Sequence, residues 1–121
     1  MQRRNLILLI LLFALPVSEA CAVPDGQTTK NAAEQVKDLF AEGLQRQQEK
    51  RYPEAIMVYR RALKLIPNQP ETLNNLGFCY EQMKDGKKAL VYYTQALLLK
   101  PDLTEAQAFV QAHAQKTRPT H

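Results

Sequence analysis

The sequence predicts an all-α domain made of short helical hairpins, and three observations lead to this prediction. Apolar residues recur at spacings of three and four along five consecutive segments, which is the pattern of amphipathic helices. No segment alternates between apolar and polar residues for long enough to indicate a strand. A similar stretch also occurs twice, as YRRALKLIP from Tyr59 and as YTQALLLKP from Tyr93, 34 residues later.

The first 22 residues are predicted to form a signal peptide. A basic start, MQRRN, precedes an uninterrupted apolar run from Leu6 to Leu15, and small residues follow it. The run is shorter than the roughly 20 residues that a membrane-spanning helix needs. Cleavage after Ala20 or after Ala22 would each fit the small-residue pattern. We therefore expect an exported protein that is either periplasmic or secreted.

Cys21 leaves two alternatives open for the mature N-terminus. The stretch VSEAC resembles the lipobox of bacterial lipoproteins, in which the cysteine is diacylated and becomes the first residue. Ala20 fits that pattern, whereas Ser18 occupies a position where an apolar residue is expected. Cys21 is thus either a lipidation site that anchors the protein to a membrane, or part of a protein that is simply released. With Cys21 removed or acylated, Cys79 stays unpaired, and its apolar neighbours predict a buried, inert thiol.

The rest of the chain divides into a tether, one domain and a tail. Residues 23–31 contain Pro, Gly and two Thr and are predicted to be a flexible tether. The helical domain is expected at residues 32–116, and residues 117–121 should fray.

Proline and polar residues predict where the helices of this domain begin and end. KRYP separates the first helix from the second, and Pro53 suits the first turn of the second helix. Pro67 and Pro70 end the second helix and begin the next connection. KDGK forms the turn before the fourth helix, and Thr104 is the candidate N-cap of the fifth.

Residues 36–69 and 70–103 are two copies of one unit. The aligned copies share ten of 34 positions, namely Leu39/Leu73, Gly43/Gly77, Gln48/Gln82, Lys50/Lys84, Ala55/Ala89, Tyr59/Tyr93, Ala62/Ala96, Leu63/Leu97, Leu65/Leu99 and Pro67/Pro101. Most of these positions have a mechanical role. The glycines and alanines allow close approach of helices, the tyrosines fill the space between them, and the prolines end the second helix of each copy.

A helix-turn-helix period of 34 residues with these positions resembles the tetratricopeptide repeat. The second copy is the closer match, through Leu76, Gly77, Tyr80, Ala89, Tyr93, Ala96 and Pro101. The first copy departs at Glu42 and Arg46, where the family prefers Leu and Tyr, and these two residues are spaced for an ion pair on the helix surface. The resemblance implies a short α-solenoid of two antiparallel helix pairs, closed by a capping helix at about residues 104–116.

Catalysis, metal binding, cofactor binding and nucleic-acid binding are not expected. His113 and His121 have no Cys or carboxylate at ligand spacing, and the sequence contains no Gly-rich phosphate loop. Glu34, Asp38 and Glu42 follow one another along a helix as a solvated stripe. The net charge of +4, from 16 basic and 12 acidic residues, is mild for a nucleic-acid binder, and the basic residues are expected on a solvated outer face.

The resemblance implies a scaffold that binds a partner peptide or helix in a groove lined by the first helix of each repeat. The groove residues would be Phe40, Leu44 and Gln47 in the first repeat, Asn74, Phe78, Glu81 and Gln82 in the second, and Glu105, Ala108 and Ala112 in the capping helix. The carboxylate clamp of some family members is not carried over, because Phe40, Leu44, Glu105 and Phe109 occupy its positions. Leu44 and Phe78 have an alternative role, in which they pack against each other or against the tether.

Two functions remain open at this point. The first is an exported adaptor that binds a protein partner in the groove and meets the membrane only through a lipid at Cys21. The second is a self-associating, homo-oligomeric subunit of a cell-envelope complex. Two repeats and a cap are close to the lower limit for independent stability, since about three stacked units are usually needed.

Overall fold

The computed structural model describes residues 29–119, in which the chain forms five α-helices and no strand. The helices are α1 (Ala32–Gln48), α2 (Tyr52–Leu65), α3 (Pro70–Gln82), α4 (Gly86–Leu99) and α5 (Thr104–Lys116). Each helix packs on the next one in the chain, and α3 also contacts α5. This arrangement confirms the predicted all-α solenoid. The predicted signal peptide, Cys21, residues 23–28 of the tether and the last two residues lie outside the described residues.

The helix N-termini are fixed by side-chain caps and by prolines. Asn31 and Glu34 form a capping box at α1, in which the Glu34 N–H donates to Asn31 Oδ1 at 2.9 Å. Proline occupies the first turn of α2 and of α3, as the sequence predicts for Pro53. The prediction for α5 was wrong, because Thr104 is already helical and the N-cap is Leu103, which has no side chain able to cap.

The helix pairs are joined by the same left-handed turn in both repeats. Lys50 and Lys84 have φ angles of 59° and 63°, and each follows the C-cap of the first helix of its repeat. The next N–H returns to the last turn of the helix, from Arg51 to the Arg46 carbonyl at 2.8 Å and from Asp85 to the equivalent carbonyl at 2.9 Å. This pattern is a Schellman motif, which satisfies carbonyls that the helix end would leave open.

The repeat core is built on a contact between a glycine and a tyrosine. Tyr59 and Tyr93 are completely buried, and each ring lies on the glycine of the partner helix. A Cβ added to Gly43 would lie 2.7 Å from Cδ1 of Tyr59, and a Cβ on Gly77 would lie 2.7 Å from Cδ1 of Tyr93. The close helix approach predicted from the two glycines is therefore confirmed.

Two further predictions about side chains are confirmed. Cys79 is completely buried, and its burial raises the pKa of the thiol to about 12, so the sulfur is protonated and unreactive at neutral pH. Arg46 and Glu42 form the expected ion pair at 3.7 Å, and Arg46 also lies 3.9 Å from Glu54 of α2. None of the helices between residues 29 and 119 is long and apolar enough to cross a membrane.

Candidate partner-binding face

The predicted groove residues lie on α1 and α3, the first helices of the two repeats, and on the capping helix α5. We call the face formed by α1, α3 and α5 the groove face. The α2 and α4 helices form the opposite side, which we call the outer face. The predicted residues differ in how far each side chain is already occupied by contacts within the domain.

The α1 part of the groove face is apolar. Phe40 is half-buried and its ring centroid lies 5.9 Å from that of Tyr59, while Leu44, one turn later, is also half-buried. Gln47 follows, and its Oε1 accepts hydrogen bonds from the Tyr59 hydroxyl at 3.0 Å and from the Cys79 thiol at 3.7 Å. This part therefore offers hydrocarbon surface, with its one polar group partly engaged by the core.

Phe78, which occupies the position of Leu44 in the second repeat, lies at the centre of the groove face. Its ring makes a T-shaped contact with the Tyr52 ring at a centroid distance of 6.2 Å, and Phe78 is half-buried. Leu44 and Phe78 are thus neither fully exposed nor part of the completely buried core. Whether they bind a partner stays a prediction.

Asn74 is more deeply placed than its neighbours. Only 8% of the residue is exposed, and its Nδ2 donates to Glu105 Oε2 on α5 at 3.0 Å. Its Oδ1 is buried and has no hydrogen-bond partner among residues 29–119. Asn74 therefore links α3 to the capping helix. Gln82, at the end of α3, is exposed instead.

A cleft of about 340 Å³ lies between α3 and α5 on the groove face. It is lined by Phe78, Glu81, Glu105, Ala108, Phe109 and Ala112. Five of these six residues are ones that the family resemblance assigns to the groove. The sixth, Phe109, packs on Tyr93 with ring centroids 5.0 Å apart and forms an aromatic wall.

The cleft is acidic. Glu81 Oε2 accepts a hydrogen bond from the Tyr93 hydroxyl at 2.8 Å. Burial raises the pKa of Tyr93, and the carboxylates of Glu81 and Glu105 raise it further, so both negative charges lie near that hydroxyl. Several other acids of the domain form ion pairs, as Glu71 does with Lys100 at 3.0 Å. Within the part of the chain that the structure describes, Glu81 and Glu105 form no such ion pair.

Sequence reasoning placed Phe109 only at a position of the carboxylate clamp that is not carried over, and it did not identify Tyr52 as part of this face. Phe109 lies four residues after Glu105, so the two share one side of α5, and this spacing is the signal that could have placed Phe109 beside the cleft. Tyr52 has no such signal in the sequence. It begins α2 of the first repeat, and it contacts Phe78 of the second repeat only because the two repeats pack together.

Two other apolar features lie away from the α3–α5 cleft. Val36, Phe40 and Pro70 help to line a cavity of about 410 Å³ near the N-termini of α1 and α3. On the outer face, Leu98 and Leu99 line another cavity of about 410 Å³ between α2 and α4, and Leu98 is 80% exposed. No group of three residues able to hold a metal ion occurs between residues 29 and 119.

Comparisons with known proteins agree with this architecture. A family model described as "TPR repeat" matches residues 43–84, and one described as "Tetratricopeptide repeat" matches residues 70–103. The mitochondrial import receptor subunit TOM70 of Saccharomyces cerevisiae, in strains YJM789 and S288c, is 36% identical over 87 residues. That match covers 68% of this chain, which spans only 14% of the length of the receptor subunit.

A solved structure shows the same fold. The crystal structure of the Sgt2 TPR domain from Aspergillus fumigatus superposes with a TM-score of 0.59 and 26% sequence identity. The likeness covers 64% of this chain and 51% of that one. Together with the repeat models and the glycine–tyrosine contacts, it identifies the helical part of this chain as a tetratricopeptide-repeat domain.

Proposed function

We propose that this chain is a non-catalytic adaptor whose groove face binds a segment of a partner protein. The observation that carries the proposal is the row of half-buried apolar side chains on that face, formed by Phe40, Leu44 and Phe78. Each of these side chains therefore leaves part of its apolar surface in contact with water. An amphipathic segment laid across α1 and α3 would cover them.

The cleft beside Phe78 adds a place where a side chain of the partner can enter. Its volume of about 340 Å³ is close to the lower end of small ligand sites, and it is open at the surface. Burial of one Phe ring is worth about 2 kcal/mol, or roughly thirtyfold in affinity. A few such contacts are sufficient for the moderate affinity of an adaptor.

Site-specific photocrosslinking in the native host tests this proposal. A photoreactive amino acid at Ala108, which is exposed and lines the cleft, should crosslink to a partner protein. The matched control is the same amino acid at Val91 on α4, which is 53% exposed. Equal crosslinking at both positions, or none at Ala108, would contradict binding at the groove face.

Export of the protein is a separate proposal, and it rests on the first 22 residues. A basic start, an apolar run and small residues support removal of a signal peptide, and VSEAC supports lipidation of Cys21. Intact-mass spectrometry of the protein from its native host decides the matter. We expect loss of residues 1–20 or 1–22, and a diacylglyceryl mass on Cys21 would establish the anchor. A protein that retains Met1 would contradict export.

Self-association as a subunit of a cell-envelope complex is the second candidate function. The outer-face surface at Leu98 and Leu99 favours it, since these residues are 80% and 45% exposed beside an apolar cavity. Sedimentation of the purified chain over a range of concentrations distinguishes the two functions. A size that grows with concentration, and that Leu98→Gln abolishes, would support self-association. A constant monomer would exclude it.

A further inference from the structure

We propose that the partner segment places a cationic side chain, Arg or Lys, in the cleft between α3 and α5. A neighbouring apolar side chain of the same segment packs on Phe78. This inference rests on the proposed function and adds the chemistry of the partner to it. It follows from the charge, the hydrogen-bonding capacity and the aromatic walls of the cleft.

The charge of the cleft is not neutralised within the domain. Glu81 and Glu105 both line it, and neither forms an ion pair within residues 29–119. By contrast, Glu71 pairs with Lys100, and Arg51 pairs with Glu49 at 3.0 Å. The negative charge is also opposite in sign to the net charge of +4 of the whole chain. A cation from a partner would therefore meet a local field that favours it, and an acidic segment would be repelled.

The carboxylates that line the cleft can accept more hydrogen bonds than they receive from the domain. Glu81 receives one hydrogen bond, from Tyr93, and Glu105 receives one, from Asn74. Each carboxylate can accept several more. A donor-rich group such as a guanidinium or an ammonium is the chemical complement of this network.

The walls of the cleft suit the rest of such a side chain. Phe78 and Phe109 lie on the two helices that border it. The short side chains of Ala108 and Ala112 leave room on the α5 side. Aromatic rings attract a cation over their faces, and the methylene stem of Arg or Lys packs on apolar surface. An apolar neighbour in the partner can then cover the half-buried Phe78 ring. The partner is thus a basic amphipathic segment.

Three fluorescein-labelled peptides of 12 residues serve as probes for the full chain. One carries Arg and Leu on the same helical face, one has Glu in place of each Arg, and one has Ser in place of each Leu. Fluorescence anisotropy should show the Arg–Leu peptide binding at least tenfold more tightly than either of the others. Its affinity should fall as salt increases, because the charges are partly exposed.

The substitutions Glu81→Gln and Glu105→Gln should each weaken binding of the Arg–Leu peptide about tenfold, since the cation then meets a neutral amide in place of a charged carboxylate. Both variants keep an amide oxygen that can accept the bond from Tyr93 or Asn74, so the fold should persist, which circular dichroism verifies. The matched control is Asp102→Asn, which removes one negative charge at an exposed position outside the cleft and should leave affinity unchanged.

The outcomes separate this inference from the function on which it rests. Equal affinity for the Arg–Leu and Glu–Leu peptides, or unchanged affinity in both Gln variants, would overturn the cationic side chain. If Phe78→Ala still weakens binding in that case, the groove face remains the binding site. Absence of binding by all three peptides would also overturn this inference, while crosslinking at Ala108 would still decide whether the adaptor function holds.

Discussion

Repeats 36–69 and 70–103 place a glycine and a tyrosine at the same contact between their two helices. Gly43 lies on Tyr59 and Gly77 lies on Tyr93, and a Cβ added at either glycine would lie less than 3.0 Å from three ring atoms. The hydroxyl of each tyrosine then donates to the side chain twelve residues earlier, Gln47 in one repeat and Glu81 in the other. The positions inside the repeats are therefore used identically.

The groove positions of the two repeats carry different chemistry. Phe40 corresponds to the buried Asn74, and the neutral Gln47 corresponds to Glu81. The first repeat consequently offers apolar surface, whereas the second, with the capping helix, forms an acidic cleft. The difference shows that the period fixes the helices and leaves the groove-facing side chains free to vary.

The largest losses of stability should come from the glycines of the two helix contacts. Gly77→Ala should lower the free energy of unfolding by about 2 kcal/mol, because the added Cβ meets Cγ of the completely buried Tyr93 at 2.8 Å. Gly43→Ala should have a similar cost, because its added Cβ meets Cε1, Cδ1 and Cζ of the Tyr59 ring, which is also completely buried. Chemical denaturation measures both.

Gly86 provides the control for this pair. A Cβ there would meet only His113 Cε1, at 4.0 Å, so Gly86→Ala should leave stability unchanged or raise it slightly. Equal costs at all three glycines would contradict the contact on which the comparison rests.

A smaller difference should separate the tyrosine hydroxyls. Tyr93→Phe removes a bond of 2.8 Å to a carboxylate and should cost about 1.5 kcal/mol. Tyr59→Phe removes a bond of 3.0 Å to a neutral amide that also accepts from Cys79, and should cost about 0.5 kcal/mol. Thermal unfolding of both variants, with Tyr92→Phe as the control, tests the order. A larger loss from Tyr59→Phe would reverse the comparison.

The smallest effects should come from the turns, and here the repeats should behave alike. Lys50 and Lys84 adopt a left-handed backbone that costs an L-residue about 1 kcal/mol. Lys50→Gly and Lys84→Gly should therefore each stabilise the domain by about 0.5 kcal/mol, after the entropy loss of glycine. Arg60→Gly, in the middle of α2, is the control and should destabilise by about 1 kcal/mol. A loss of stability in both Lys variants would contradict the left-handed backbone conformation of these turns.

Much of the fold could be predicted from the sequence because the repeat marks its own boundaries. The spacing of glycine, alanine and tyrosine predicts the helix pairs, and Pro53 marks the start of α2. Pro70, which was expected in the connection, instead begins α3. The capping box at Asn31 and Glu34 has a sequence signature that the prediction of a tether up to residue 31 did not use. Thr104 failed as an N-cap because a suitable residue type does not by itself fix the backbone geometry that a cap requires.

The groove chemistry was less predictable, since it depends on contacts between distant segments. The burial of Asn74 follows from Glu105, 31 residues later, whose carboxylate it meets across two helices. The inward bond of Gln47 depends on the Tyr59 hydroxyl and the Cys79 thiol. Residue type and period place these side chains on one face, but only the packed helices show which remain available to a partner.

The most direct test of the adaptor function compares binding and folding in one variant, Phe78→Ala. We expect the yield of the Ala108 crosslink to fall at least tenfold, because the loss of about 2 kcal/mol of apolar burial weakens binding roughly thirtyfold. The melting temperature should decrease by only a few degrees, since the ring is half-buried. Met57→Ala, at a residue that is 67% exposed on α2, should change neither quantity. An unchanged crosslink yield together with a large loss of stability would show that Phe78 is a core residue and contradict the account.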